Sequence, residues 1–177
     1  YCFCPIYRFN KIQNCEEKKL GVVRDYQVTD TQGNLLIQAS TYWVLINFTT
    51  KYPQAIRAHL PEYNIVTEKA DNWEFTKLPT PENVDFETEF SVRFDDMDIN
   101  NHVNNAVYPL WISESVPLEF RNSHTVAELE IAFKKEVIAG EKIKIQTTLT
   151  GNSSLHKVLS LTDGREVAKA QIAWEEI

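Results

Sequence analysis

Between Gly21 and Thr29 apolar and polar residues alternate loosely, the period-two pattern of a strand with one buried face. Asp30-Thr31-Gln32-Gly33-Asn34 then supplies turn residues, and Leu35 to Phe48 is rich in β-branched and aromatic side chains. A hairpin is predicted, with Pro53 closing its second strand. The end of the chain repeats this plan. Ile143 to Leu149 reads as a strand, Gly151-Asn152-Ser153-Ser154 as a turn and Val158 to Leu161 as the next strand. The turn Thr162-Asp163-Gly164-Arg165 leads into a last strand, Val167 to Trp174. One helical pattern interrupts the strands: Val103, Val107, Leu110 and Trp111 recur at i, i+4, i+7 and i+8. A helix is predicted from near Ala106 to about Ser115, before Val116-Pro117, with Asn101, Asn104 and Asn105 as candidate N-caps. Pro109 then falls in the first turn, where its missing N–H costs little. Deeper in a helix it would cost about 3 kcal/mol.

The two hairpin regions superimpose at a fixed offset. A shift of 131 residues carries Gly33 onto Gly164, Leu36 onto Val167, Ala39 onto Ala170, Thr41 onto Ile172 and Trp43 onto Trp174. Shared strand–turn–strand context makes duplication the better reading, with both tryptophans as core residues. On that reading residues 1–57 are the rear part of a first unit, 58–84 an irregular linker with Pro61, Pro79 and Pro81, and 85–177 a second unit. The second unit begins near Asp85, whose counterpart would precede residue 1, so the first unit is expected to be cut short. Residues 1–19 match nothing in the second unit.

The chemistry concentrates in Phe94-Asp95-Asp96-Met97-Asp98-Ile99-Asn100-Asn101-His102-Val103-Asn104-Asn105, twelve residues with three acids, four amides and one imidazole. If Asp98 to His102 is extended, Asp98, Asn100 and His102 share one wall, while Ile99 and Val103 face the other way. Free N–H groups at the start of the following helix would suit an oxyanion there.

Bulk properties exclude several classes. With 177 residues, 43% apolar and 24% charged, the chain is long enough to bury a core and is not disordered. A net charge of −7 with scattered basic residues argues against nucleic-acid binding. No apolar run approaches a membrane span, and no signal peptide is apparent. Cys2, Cys4 and Cys15 crowd the first fifteen residues, an odd set read as reduced thiols of a cytoplasmic protein. His102 has no second histidine at ligand spacing, so no metal is expected, and no cofactor.

An extended strand, then Asp-x-Asn-x-His-Val-Asn-Asn over Asp98–Asn105, then Tyr108 and Trp111 on a helix resembles the acyl-acyl-carrier-protein (acyl-ACP) thioesterases, in particular bacterial members. A second signature, an aromatic, two basic residues and Glu, fits Phe133-Lys134-Lys135-Glu136, and Arg24-Asp25-Tyr26 through Trp43 is similar too. The resemblance covers most of residues 21–177. It implies an α+β fold of two tandem hotdog units, each an antiparallel sheet wrapped around a long helix, the first truncated here. It further implies hydrolysis of fatty acyl-ACP to fatty acid and ACP, ending chain elongation, with Asp98, Asn100, His102 and Glu136 in the catalytic positions. Plant members often carry cysteine after that glutamate. Val137 stands there instead, so acid–base chemistry is expected.

In that chemistry Glu136 or His102 activates water, or Glu136 attacks covalently; Asp98 orients His102, and Asn100 with helix N–H groups polarises the carbonyl. Taken singly, His102 reads as a satisfied loop histidine and Glu136 as an exposed strand residue beside two lysines. His59, His124 and His156 have no motif around them. Lys134-Lys135 and Lys142/Lys144 suit an acidic carrier or a protected sheet edge equally. The rivals are an acyl-CoA thioesterase and a noncatalytic acyl- or ACP-binding hotdog protein. A truncated first unit exposes an apolar sheet face, which favours a homodimer.

Overall fold

A computed structural model describes residues 8–18, 20–62, 64–66, 69 and 73–177. Cys2 and Cys4 lie outside the described residues; Cys15 is buried, and burial pushes its thiol up to about 11. The chain forms two compact units, residues 1–76 and 77–177.

In the first unit, strands β1 (Arg8–Lys18), β2 (Gly21–Thr29) and β3 (Leu35–Val44) form an antiparallel sheet in that order. The predicted turn is present. Asp30 Oδ1 accepts the Gln32 and Asn34 N–H groups at 2.8 and 2.9 Å, and Gly33 takes φ 92°, which a side chain would resist. Strand β1 was missed. Shifted by 131 residues it falls on β6, so residues 8–18 do have a counterpart in the second unit. Its sequence is polar and its pairing with β2 is interrupted by irregularities at Phe9/Lys11 and Asn14/Glu16, which destroy the alternation. A short helix α1 (Ile56–His59) follows.

The second unit has a five-stranded antiparallel sheet ordered β4-β6-β7-β8-β5. Its strands are β4 (Phe86–Ser91), β5 (His124–Phe133), β6 (Lys142–Thr150), β7 (Ser153–Ser160) and β8 (Glu166–Glu176). Helix α2 (Val107–Glu114) packs Tyr108, Trp111 and Ile112 against Ile143, Ile145, Val158, Ala168, Ala170 and Ile172, the sheet-around-helix arrangement of a hotdog unit. The helix lies within a residue of its predicted ends, with Pro109 in the first turn. The long helix implied by the resemblance is absent here. Pro117 has no N–H and disfavours helical backbone at Val116, so the chain breaks and resumes as the single turn α3 (Leu118–Arg121).

The two tryptophans aligned by the offset differ. Trp174 is 6% exposed and donates its indole N–H to Ser154 Oγ at 2.8 Å. Trp43 is 50% exposed, on the edge strand β3, because no long helix covers it among the described residues; only Trp174 is core.

A buried polar chain crosses this core. His156 is fully buried, with Nε2 2.8 Å from Ser154 Oγ and Nδ1 3.1 Å from Thr147 Oγ1. Thr147 and Ser115 hydroxyls meet at 2.8 Å, and Ser115 donates to the Ile112 carbonyl at 2.7 Å. Burial pushes His156 down to about 4, so it is neutral at pH 7. The last turn of α2 is thereby tied to the middle of the sheet.

Candidate active site

The motif folds as a closed turn. After β4, the single 3-10 turn Phe94–Asp96 is locked by Asp96, whose buried carboxylate accepts the Arg93 backbone N–H at 2.8 Å and its guanidinium at 2.7 Å. Met97 and Val103 then form an isolated antiparallel bridge, and the residues between them double back. The Asp98 N–H donates to the His102 carbonyl at 2.8 Å. Asp98 Oδ1 accepts the N–H groups of Asn100 and His102 at 2.8 and 3.2 Å, and Asn101 adopts φ 61°.

The extended wall expected from the sequence is therefore not formed. A short carboxylate that captures two amides within its own loop competes with extended backbone, and asparagine tolerates the left-handed region. Ile99, assigned to an apolar wall, is 99% exposed at the loop tip, while Val103 is buried. Asp98 hydrogen-bonds the backbone N–H of His102 rather than its ring. Desolvation pushes the Asp98 carboxyl up, but the amides of Asn100 and His102, the Asn100 side chain and the His102 charge hold it below the ordinary range. Asn100 stays exposed, its amide 3.4 Å from Asp98 Oδ2.

Glu136 reaches the same place from another loop. It lies beyond the end of β5 at Phe133, in irregular chain rather than on the expected strand. The two loops meet through the backbone, the Val103 N–H donating to the Val137 carbonyl at 2.8 Å, with both side chains in the core. This sets His102 Nε2 3.1 Å from Glu136 Oε2, with the side chains 33% and 59% exposed. His102 and Glu136 are thus brought together, with Asp98 bonded to the backbone N–H of His102 and to Asn100.

The start of α2 offers fewer free donors than expected. Asn104 accepts the Ala106 N–H on its side chain and the Val107 N–H on its carbonyl, each at 2.9 Å, and Pro109 has none. An imidazole hydrogen-bonded to an accessible carboxylate can take a proton from water. No cluster of three or more His, Cys, Asp or Glu placed for a metal occurs among the described residues. A cleft of about 300 Å³ beside Leu110, Arg121, His124 and Trp174 opens at the far end of β5 from Glu136.

The model of the family described as acyl-ACP thioesterase C-terminal domain matches residues 80–176, more than half of the chain. The chain belongs to the acyl-ACP thioesterase family. Among curated relatives, the chloroplastic palmitoyl-acyl carrier protein thioesterase of Gossypium hirsutum is 26% identical over 174 residues, covering 88% of this chain and 42% of the relative. The chloroplastic dodecanoyl-[acyl-carrier-protein] hydrolase of Umbellularia californica is 27% identical over 167 residues, covering 87% of this chain and 44% of the relative. The chain thus spans well under half the length of these thioesterases. The solved 12:0-ACP thioesterase from Umbellularia californica superimposes with a TM-score of 0.78 at 24% identity, covering 94% of this chain and 66% of that one. An acyl-ACP thioesterase from Bacteroides thetaiotaomicron gives 0.79 at 20% identity, covering 93% and 67%. Both likenesses establish the fold of this acyl-ACP thioesterase family member, antiparallel sheet with few helices.

Arg165, which with Glu141 holds the Glu136 loop, is read from the sequence only as a turn residue, and nothing in the sequence singles out Glu141. No local period marks a contact 24 residues apart.

Proposed function

We propose that this chain carries the hydrolytic site of a thioesterase that cleaves fatty acyl-ACP to free fatty acid and ACP. The supporting observation is the 3.1 Å approach of His102 Nε2 to Glu136 Oε2, made by two loops that both match the family's signature positions. The His102–Glu136 pair withdraws a proton from water as its oxygen bonds to the thioester carbonyl carbon, with Asn100 donating to the developing oxyanion. Collapse breaks the C–S bond, and the proton passes from the pair to the departing thiolate. Asp98 fixes the loop that carries His102.

Charge gives no further support for the carrier. Lys134 pairs with Glu166, and Lys144 with Glu87 at 3.0 Å. Thiol release from acyl-ACP and acyl-CoA of equal chain length separates the two substrates. His102→Ala and Glu136→Gln are each expected to lower kcat by about 10²-fold or more while the fold persists. Full activity in both would refute the assignment. The reading includes a homodimer, supported by exposed Leu35, Leu36, Ile37 and Val44 on β3. Sedimentation equilibrium giving the mass of one chain would exclude it.

A further inference from the structure

The Glu136 loop is held from behind by one guanidinium. Arg165, at the end of the turn before β8, donates from Nη2 to the Glu136 carbonyl at 3.0 Å and to both carboxylate oxygens of Glu141 at 2.8 and 2.9 Å. Its Nη1 donates to Asp163 Oδ1 at 2.9 Å and to Ser160 Oγ at 3.1 Å. Glu141 closes the loop from the other side. Its Oε1 accepts the Ile138 N–H at 3.1 Å, and its Oε2 accepts the Ser160 hydroxyl at 2.5 Å.

The loop is therefore tied at its beginning by the Glu136 carbonyl, in its middle by the Ile138 N–H and at its end by the Glu141 carboxylate. The Glu136 carbonyl and the next one, that of Val137, are both fixed, the first by Arg165 and the second by Val103. Two consecutive fixed carbonyls leave the Glu136 backbone little freedom, although its side chain is in water. A guanidinium suits this role because its planar fork sets distance and angle together, which a lysine ammonium does not. The Arg165–Glu141 pair is largely buried, with side-chain exposures of 27% and 9%, so it is not a solvent-screened surface pair.

We propose that Arg165, acting with Glu141, is a positioning residue for hydrolysis, holding the Glu136 carboxylate at His102. The inference rests on the thioesterase reading above.

The test uses the 177-residue chain with Arg165→Met, Arg165→Lys, Glu141→Gln and the Met/Gln double variant. Thiol release is measured across acyl-ACP concentrations, and amide hydrogen exchange is followed at Ile138. Arg165→Met is expected to lower kcat by about 10²-fold with KM within about twofold, since displacement of a reacting group is felt in the chemical step. Lysine restores only part of the rate, and the double variant is no worse than Arg165→Met alone. Ile138 exchanges about tenfold faster once the clamp opens. A wild-type kcat in Arg165→Met, a loss confined to KM, full rescue by lysine, or multiplying losses in the double variant would each overturn the proposal. If Arg165→Met does not fold, Arg165→Lys and Glu141→Gln carry the same comparison. If the wild type releases no thiol, the thioesterase reading fails, while exchange at Ile138 still judges the clamp.

Discussion

His156→Leu tests the buried polar chain through its dependence on pH. In the folded protein burial lowers this histidine from 6.5 to about 4, so between those values the unfolded chain binds a proton that the folded one does not. Stability therefore rises with pH across that window. The native histidine costs nothing above about pH 7, is penalised progressively as pH falls through 6.5, and the penalty levels off below about 4. For one such group the loss between pH 7.5 and pH 5 is about 2 kcal/mol, approaching roughly 3 kcal/mol at the acid limit. Leucine removes the titration and leaves three hydrogen bonds standing, Ser115 with the Ile112 carbonyl, Ser115 with Thr147 and Trp174 with Ser154. At pH 7.5 the variant should be less stable by about 1–3 kcal/mol, the cost of hydroxyls left short of a partner. Urea unfolding from pH 7.5 to 4.5 gives both curves, and their difference cancels carboxylates common to both proteins. The gap should narrow by about 2 kcal/mol on going to pH 5. A gap independent of pH would mean that His156 is not held neutral by burial, and the account of the network would be wrong.

Asp98→Ala removes the acceptor of two loop amides. It should lower kcat by about 10-fold or more through loosening of the His102 loop, with little change in thermal midpoint; an unchanged kcat would separate Asp98 from the site. Ile112, fully buried on α2, should cost about 2–5 kcal/mol when cut to alanine, measured by urea unfolding. A cost under about 1 kcal/mol would mean that the helix face is not packed as described.

The parts of the fold legible in the sequence are those where one face is buried along a regular period. Strand β6 alternates buried and more exposed residues from Lys142 to Thr148, as its sequence predicts, whereas β7 begins at Ser153, within the predicted turn. Helix α2 buries Tyr108, Trp111 and Ile112, while Leu110 of the predicted stripe is exposed. Strand β1 is polar and irregularly paired, so no period survives in it. The offset located Trp43 and Trp174 alike, but whether a tryptophan is covered depends on a helix elsewhere in the unit, which spacing cannot register. For the candidate site, the family resemblance points to His102 and Glu136, while their meeting depends on a backbone bond between Val103 and Val137, 34 residues apart. Asp98 to His102 departs from side-chain alternation because the Asp98 carboxylate captures two amides of its own loop.

That backbone bond also bears on how such a site can change over time. The loops meet through an amide and a carbonyl that every residue except proline supplies, so side chains at 103 and 137 answer only to the core around them. Apolar residues of similar size can replace either one without separating the imidazole from the carboxylate, whereas proline at 103 removes the donor. The position after Glu136 can thus hold valine here, and a cysteine there would keep the same meeting of loops. The proposed pair is held by backbone geometry, and its neighbours are constrained by packing alone.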